Sequence, residues 1–265
     1  MIEKITSTQN PKIKNIIKLQ QKSSERKSQN LIVIEGLREI SLAVKAGFSI
    51  KSVFICSDIV LPEVVMNELK LDFQYFDVSK DVYNKLAYRE STEGIIALAE
   101  PKFYQLDNLK LRENPIIIIL ESVEKPGNLG AILRTADAAK VDAVIISESL
   151  TDIYNPNIIR SSVGCVFTNQ IVACSSDDAI QWLKRKGIKS HAAALTAKKF
   201  YHQMDLSGPV AFVMGTEADG LTDKWLKSTD EQVIIPMSGE IDSLNVSIST
   251  AILVFEAMRQ RNFYF

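Results

Sequence analysis

Residues 115–147 read PIIIILESVEKPGNLGAILRTADAAKVDAVIIS, and the reading of this stretch decides the fold. PIIIIL (115–120) is a short, continuous apolar run, the pattern of a strand buried on both faces. Pro126-Gly127-Asn128 is turn chemistry, with Asn128 suited to cap a helix over about residues 129–139. VDAVIIS (141–147) is a second buried strand. Strand, helix and strand in about 30 residues make a parallel crossover unit.

The pattern continues toward the C-terminus. VFTNQIVAC (166–174), SHAAAL (190–195), PVAFVMG (209–215) and QVIIP (232–236) read as further strands, with helices near 177–186 and 245–261. Strands that are apolar throughout predict an α/β architecture, a parallel sheet covered on both faces by helices.

Toward the N-terminus a smaller α/β unit is expected. LIVIEG (31–36) reads as a strand stopped at Gly36, and 37–46 as a helix ended by Gly47. Strands follow at Lys51–Cys56, Phe73–Phe76 and Gly94–Ala99, with helices over 62–70 and 79–88. EPKFYQLDNLKLRENP (100–115) is polar and aperiodic, and holds the linker. The expected domains are 1–105, a linker at 106–114, and 115–265.

Composition narrows the function classes. The 265 residues are 46% hydrophobic and 24% charged, which is globular and neither disordered nor fibrous. The net charge of −1 announces no polyanion partner in bulk, so one would need a local patch. Residues 1–30 supply a candidate: seven basic side chains, Lys12, Lys14 and Arg26 among them, against Glu3 and Glu25. That segment reads equally as a solvated helix with Ile13, Ile16, Ile17 and Leu19 turned inward. Cys56, Cys165 and Cys174, with His191 and His202, have no metal-ligand spacing, so no metal is expected. No apolar run reaches membrane-spanning length, and MIEKITSTQNPKIK lacks a secretory apolar region, so a cytoplasmic protein is expected.

In parallel sheets ligands bind beyond the carboxyl ends of the strands. Three strand ends carry chemistry. After 115–120, Gly130 precedes Arg134 by one helical turn and leaves room for the guanidinium to lean back toward the strand ends. After 209–215, GTEADGL (215–221) combines Gly215, which permits close backbone approach, with Glu217 and with Gly220, which suits a left-handed turn. After 232–236, PMSGEIDSLNVS (236–247) offers Ser243 or Asn245 as the cap of the closing helix. The chain has no GxxxxGK[ST], which argues against a P-loop enzyme. The order strand, glycine turn, helix, strand and then Glu148 also mimics a dinucleotide-binding unit, although PGNLGA is not GxGxxG.

Together, these motifs resemble the SPOUT superfamily, specifically the TrmH/SpoU group of RNA 2′-O-ribose methyltransferases. The matching residues are Asn128, Gly130, Arg134, Thr135 and Ala136; Gly215, Glu217, Gly220 and Leu221; and Ile235, Pro236, Met237, Gly239 and Ser243–Ser247. LIVIEGLREI (31–40) and STEGIIAL (91–98) look like the family's substrate-binding domain, similar to a ribosomal-protein L30e-like fold. The sequence departs from the family pattern at Lys125, where an acidic or amide residue is frequent, and at Ser249, where alanine is common.

The resemblance implies a trefoil-knotted sheet, S-adenosylmethionine as cofactor, and a homodimer. It places Leu195, Thr196, Gly215, Ile235, Met237 and Leu244 in the cofactor pocket, and gives catalytic roles to Arg134, Asn128, Glu217, Ser243 and Asn245. RNA contacts fall to Lys12, Lys14, Arg38 and Lys125. 23S ribosomal RNA is the first expected substrate and transfer RNA the second. A non-catalytic RNA-binding protein of the same fold is the alternative from another class.

Overall fold

The computed structural model describes residues 3–70, 74–87, 93–123, 125–148, 152–216 and 218–263. The chain forms two compact units, Met1–Lys102 with Asp152–Thr168, and Phe103–Thr151 with Asn169–Phe265. The sequence-based split at 106–114 is thus corrected at two places. Residues 152–168, expected in the second domain, pack with the first unit. The expected linker packs on the second, where Tyr104, Leu106, Leu109 and Leu111 lie against the core.

The first unit contains β1 (Glu3–Ile5), α1 (Pro11–Gln21), α2 (Ser23–Gln29), β2 (Ile32–Glu35), α3 (Leu37–Lys45), β3 (Ile50–Ile55), α4 (Pro62–Leu69), β4 (Gln74–Val78), α5 (Lys80–Leu86) and β5 (Ile95–Ala99). Its sheet runs β1-β4-β3-β5-β2, with β4 parallel to β1 and β3, and β5 antiparallel to β2 and β3. The Asn10 side chain caps α1 by accepting from Lys12 N at 2.9 Å, with Pro11 at the first helical position. Ile13, Ile16 and Leu19 are buried and join Phe54, Phe76 and Ile96 in the core, whereas Ile17 packs at its margin.

The basic segment is less open than its composition suggests. Arg26 is 4% exposed; its Nε donates to Asp152 Oδ2 at 2.6 Å, and its Nη1 donates to the carbonyl oxygens of Leu19 and Gln20. A buried guanidinium needs such partners because desolvation penalises an unpaired charge. Lys12 is exposed but pairs with Glu3 at 3.2 Å and lies over the Phe76 ring. Residues 152–168 add two short helices, α7 (Pro156–Ser161) and α8 (Cys165–Thr168). The strand expected over 166–174 therefore starts only at Ile171. Val163 and Gly164, both at positive φ, turn the chain into α8.

The second unit contains β6 (Ile116–Glu121), α6 (Pro126–Ala138), β7 (Ala143–Ser147), β8 (Ile171–Cys174), α9 (Ser176–Lys186), β9 (Lys189–Ala193), β10 (Val210–Met214), α10 (Asp223–Ser228), β11 (Glu231–Val233) and α11 (Val246–Gln260). Its six strands lie in the order β11-β9-β10-β6-β7-β8, and every neighbouring pair is parallel. Ile117, Ile119, Ile145 and Val213 meet Trp182 and Trp225 in the core. Helix α6 begins three residues before the expected start: Pro126 takes the first helical position, and Lys125 rather than Asn128 is the cap residue. Proline's fixed φ and missing N–H favour that place.

α11 is fixed at its far end by Arg261, whose Nε, Nη1 and Nη2 donate to the carbonyl oxygens of Leu206, Asn114 and Gly208. Among the described residues no helix is long and apolar enough to cross a membrane.

Candidate active site

Two of the three strand-end motifs meet at one cleft in the second unit, and the first reaches it through Asn128. A cleft of about 500 Å³ opens where β11, β9 and β10 end, at Val233, Ala193 and Met214. The remaining walls are residues 215–216 and 218–221, the loop 234–245 and the first turns of α11. Leu195, Thr196, Gly215, Ile235, Met237 and Leu244 all line it, as do Ser243 and Asn245.

Local geometry explains why the sequence has this form. Gly215 sits so close to the returning chain that a Cβ there would lie 2.1 Å from the Gly220 carbonyl oxygen. Thr216 N donates to Gly220 O, and Gly220 N donates to Thr216 O, both at 3.1 Å, closing the loop on itself. Gly220 supplies the left-handed turn at φ 67°. Asn245 caps α11, its Oδ1 accepting from Ser247 N at 3.0 Å, while its Nδ2 donates to Asn128 Oδ1 at 3.1 Å. The first turn of α6 is thereby tied to the cleft wall.

Cation and carboxylate positions complete the picture. Arg134 is exposed on α6, one turn beyond buried Gly130, and is not among the described residues lining the cleft. Glu217 lies outside the described residues. Behind the cleft, on β9, His191 is fully buried and neither ring nitrogen has a hydrogen-bond partner. Burial pushes its pKa down to about 4, against the pull of Glu231, whose carboxylate is 3.5 Å from Nδ1. Burial also raises Glu231, but Lys199 and Lys189 outweigh it and hold the group below its ordinary value.

The cleft suits a nucleoside-bearing cofactor: apolar side chains for a base, exposed loop main chain, and a volume in the small-molecule range. Among the described residues no group of three or more His, Cys, Asp or Glu could hold a metal ion. The dinucleotide alternative loses its acidic residue, because Glu148 Oε1 accepts from Ser176 N at 2.8 Å, at the start of α9.

Comparison with known proteins decides the family. Residues 115–255 match the SpoU rRNA Methylase family. The chain belongs to this family. As a SpoU methylase it is a methyltransferase, and residues 10–97 match the MRM3-like substrate binding domain. It is 29% identical over 254 residues to the 23S rRNA (guanosine(2553)-2′-O)-methyltransferase RlmP of Bacillus subtilis, covering 96% of this chain and 98% of that protein. A solved RNA 2′-O ribose methyltransferase is 38% identical, with a TM-score of 0.86 and coverage of 98% of this chain and 99% of the other. The AdoMet-bound rRNA methyltransferase from Sinorhizobium meliloti is 29% identical, with a TM-score of 0.88 and coverage of 97% and 98%. SpoU methylases use S-adenosylmethionine.

Within this SpoU methylase the residues assigned through the resemblance, Arg134 and Glu217 apart, divide into three sets. The six positions expected to hold the cofactor, with Ser243 and Asn245, surround one cleft, and Asn128 joins them through Asn245. Lys125 is exposed at the cap of α6. Lys12 and Lys14 are exposed on α1 of the first unit, and Arg38 is exposed on α3. Sequence reasoning missed Glu121, a nearly buried carboxylate at the end of β6, because a single acid after an apolar run looks like an ordinary strand terminus.

Proposed function

We propose that this SpoU methylase transfers the methyl group of S-adenosylmethionine to a ribose 2′-hydroxyl of 23S ribosomal RNA, as a cytoplasmic homodimer with a trefoil-knotted chain path. The observation that carries the reading is the cleft at the ends of β11, β9 and β10, joined through Asn245 to Asn128 on the helix that bears Arg134.

The chemistry S-adenosylmethionine supplies when bound is an electrophilic methyl group on a sulfonium. The protein's own task is to align and activate a weakly acidic hydroxyl. A guanidinium stays protonated, so Arg134 serves as a donor that stabilises developing negative charge on the ribose oxygen and grips the neighbouring phosphate. Asn128 and Ser243 orient the ribose, and Glu217 positions Arg134 or Asn128. Exposed Lys14, Arg38 and Lys125 contact RNA phosphates, which gives affinity with little sequence choice. Ile248 and Phe255, 52% and 42% exposed and two turns apart on α11, support burial of that face against a second copy.

The test is to map 2′-O-methylation across total RNA from cells with and without the protein. Loss of one methylated nucleotide in 23S rRNA is expected. Loss confined to transfer RNA would reassign the substrate, and no loss, together with no thermal stabilisation by S-adenosylhomocysteine, would leave an RNA-binding protein. At a ligand concentration 100 times Kd, stabilisation of about 2.7 kcal/mol is expected. Sedimentation reads the dimer.

A further inference from the structure

We infer that Glu121 is a positioning residue of the methyl-transfer site, holding the cofactor-facing loop 215–221 in place through Thr222. Glu121 ends β6 and is 3% exposed. Its Oε2 accepts from Thr222 N at 2.8 Å and its Oε1 from the Thr222 hydroxyl at 2.7 Å. Burying a carboxylate is costly unless it is well hydrogen-bonded, and here both oxygens are committed to one residue 101 positions away in the chain.

Thr222 strengthens the case. It is the cap residue of α10, where a threonine hydroxyl ordinarily accepts from its own helix, yet its side chain makes no capping bond. The hydroxyl is turned to Glu121 instead. The loop before it is closed by the paired Thr216 and Gly220 bonds and by Asp219 N donating to Thr216 Oγ1 at 3.0 Å. The placement of a loop closed in this way depends on its two ends. β10 holds the first end, where Met214 pairs with Leu120 of β6, and Glu121 holds the second. Gly215, Gly220 and Leu221, all on the cleft wall, belong to that loop. Glu121 also stands at the root of the segment leading to α6, so the strand that launches Asn128 and Arg134 fixes the cofactor loop as well.

The inference rests on the reading that the cleft takes S-adenosylmethionine. The experiment compares the full chain with Glu121→Ala, Thr222→Val and Thr222→Ser by calorimetric titration with S-adenosylhomocysteine, by melting temperature, and by hydrogen exchange at amides 216–222 without ligand. Thr222→Val keeps the backbone bond and removes only the hydroxyl, so it remains informative if Glu121→Ala does not fold. Expected are a Kd raised about tenfold by Thr222→Val and more by Glu121→Ala, faster exchange confined to the loop, and near-recovery with Thr222→Ser. An unchanged Kd and unchanged loop exchange in Thr222→Val would overturn the inference, as would a lower melting temperature with unchanged Kd. If the unmodified chain itself does not bind the ligand, the functional reading fails, and exchange at 216–222 still decides whether Glu121 anchors the loop.

Discussion

The Asn245 side chain does two jobs: its Nδ2 donates to Asn128 Oδ1 at 3.1 Å while its Oδ1 accepts from Ser247 N at 3.0 Å. One amide both starts α11 and binds it to α6. Asn245→Ala is expected to cost about 1–2 kcal/mol through the lost cap and the lost tether, and Asn128→Ala less. A double-mutant cycle in urea should give a coupling of about 0.5–1.5 kcal/mol. Additive single effects would mean that the bond contributes nothing to holding the helices together.

Arg134 stands apart from the cleft wall, which separates its predicted effects. Arg134→Lys should leave S-adenosylhomocysteine affinity within about twofold and lower single-turnover methyl transfer by about 100-fold, because an ammonium cannot reproduce a planar two-pronged donor. Near-normal transfer by the lysine variant would refute that role.

Gly215 and Gly239 both belong to the cleft motifs but differ in what surrounds them. A Cβ at Gly215 would lie 2.1 Å from Gly220 O and 2.5 Å from Leu221 N, whereas at Gly239 nothing lies within 4 Å. Gly215→Ala is expected to abolish cofactor binding in a calorimetric titration, and Gly239→Ala to leave it within about twofold, since only the first must prise apart a closed loop.

His191 sets a pH dependence of stability. Burial, with Lys189 and Lys199 acting in the same direction, holds it near pKa 4, while Glu231 and Asp230 oppose. The unfolded chain takes up this proton below its ordinary pKa of 6.5, and the folded chain only near 4. Stability from this group is therefore full above about pH 6.5 and falls as pH drops toward 4, by up to about 3 kcal/mol. Urea titrations at pH 7 and pH 5 should register the loss, and His191→Phe, which removes two ring nitrogens that make no hydrogen bond, should flatten it.

Lys14, Lys18 and Arg26 carry the same charge in the basic segment but should behave differently. Arg26→Met breaks a buried pair with Asp152 and is expected to cost about 3 kcal/mol. Replacing Lys14 and Lys18, both exposed on α1, with alanine should leave stability nearly unchanged. The slope of log affinity for RNA against log salt should fall by about one for each lysine removed, read by filter binding.

What could be read from sequence follows the range of the forces involved. Unbroken apolar runs such as 116–120 and 143–147 are buried whichever neighbours they take, so the parallel sheet was legible. So were Gly215 and Gly220, whose backbone demands are local. Arg26 was not: its charge looked solvated because Asp152, its partner, lies 126 positions further on. Asn128 suits a cap by residue type, but Pro126 starts the helix earlier. Val166-Phe167-Thr168, β-forming by type, is helical because positive-φ Val163 and Gly164 turn the chain there. Glu121 is illegible for the same reason as Arg26: its partner, Thr222, lies 101 positions away.

The assignment of Asp152–Thr168 to the first unit has a consequence for synthesis. A ribosome that has made the first 105 residues has not yet supplied the carboxylate that neutralises Arg26, nor the helices α7 and α8. The amino-terminal half must wait, partly assembled, until β6, α6 and β7 have also emerged. Truncation at the apparent boundary should then yield an aggregating fragment, and a viable excision of that half would have to splice 152–168 back onto it.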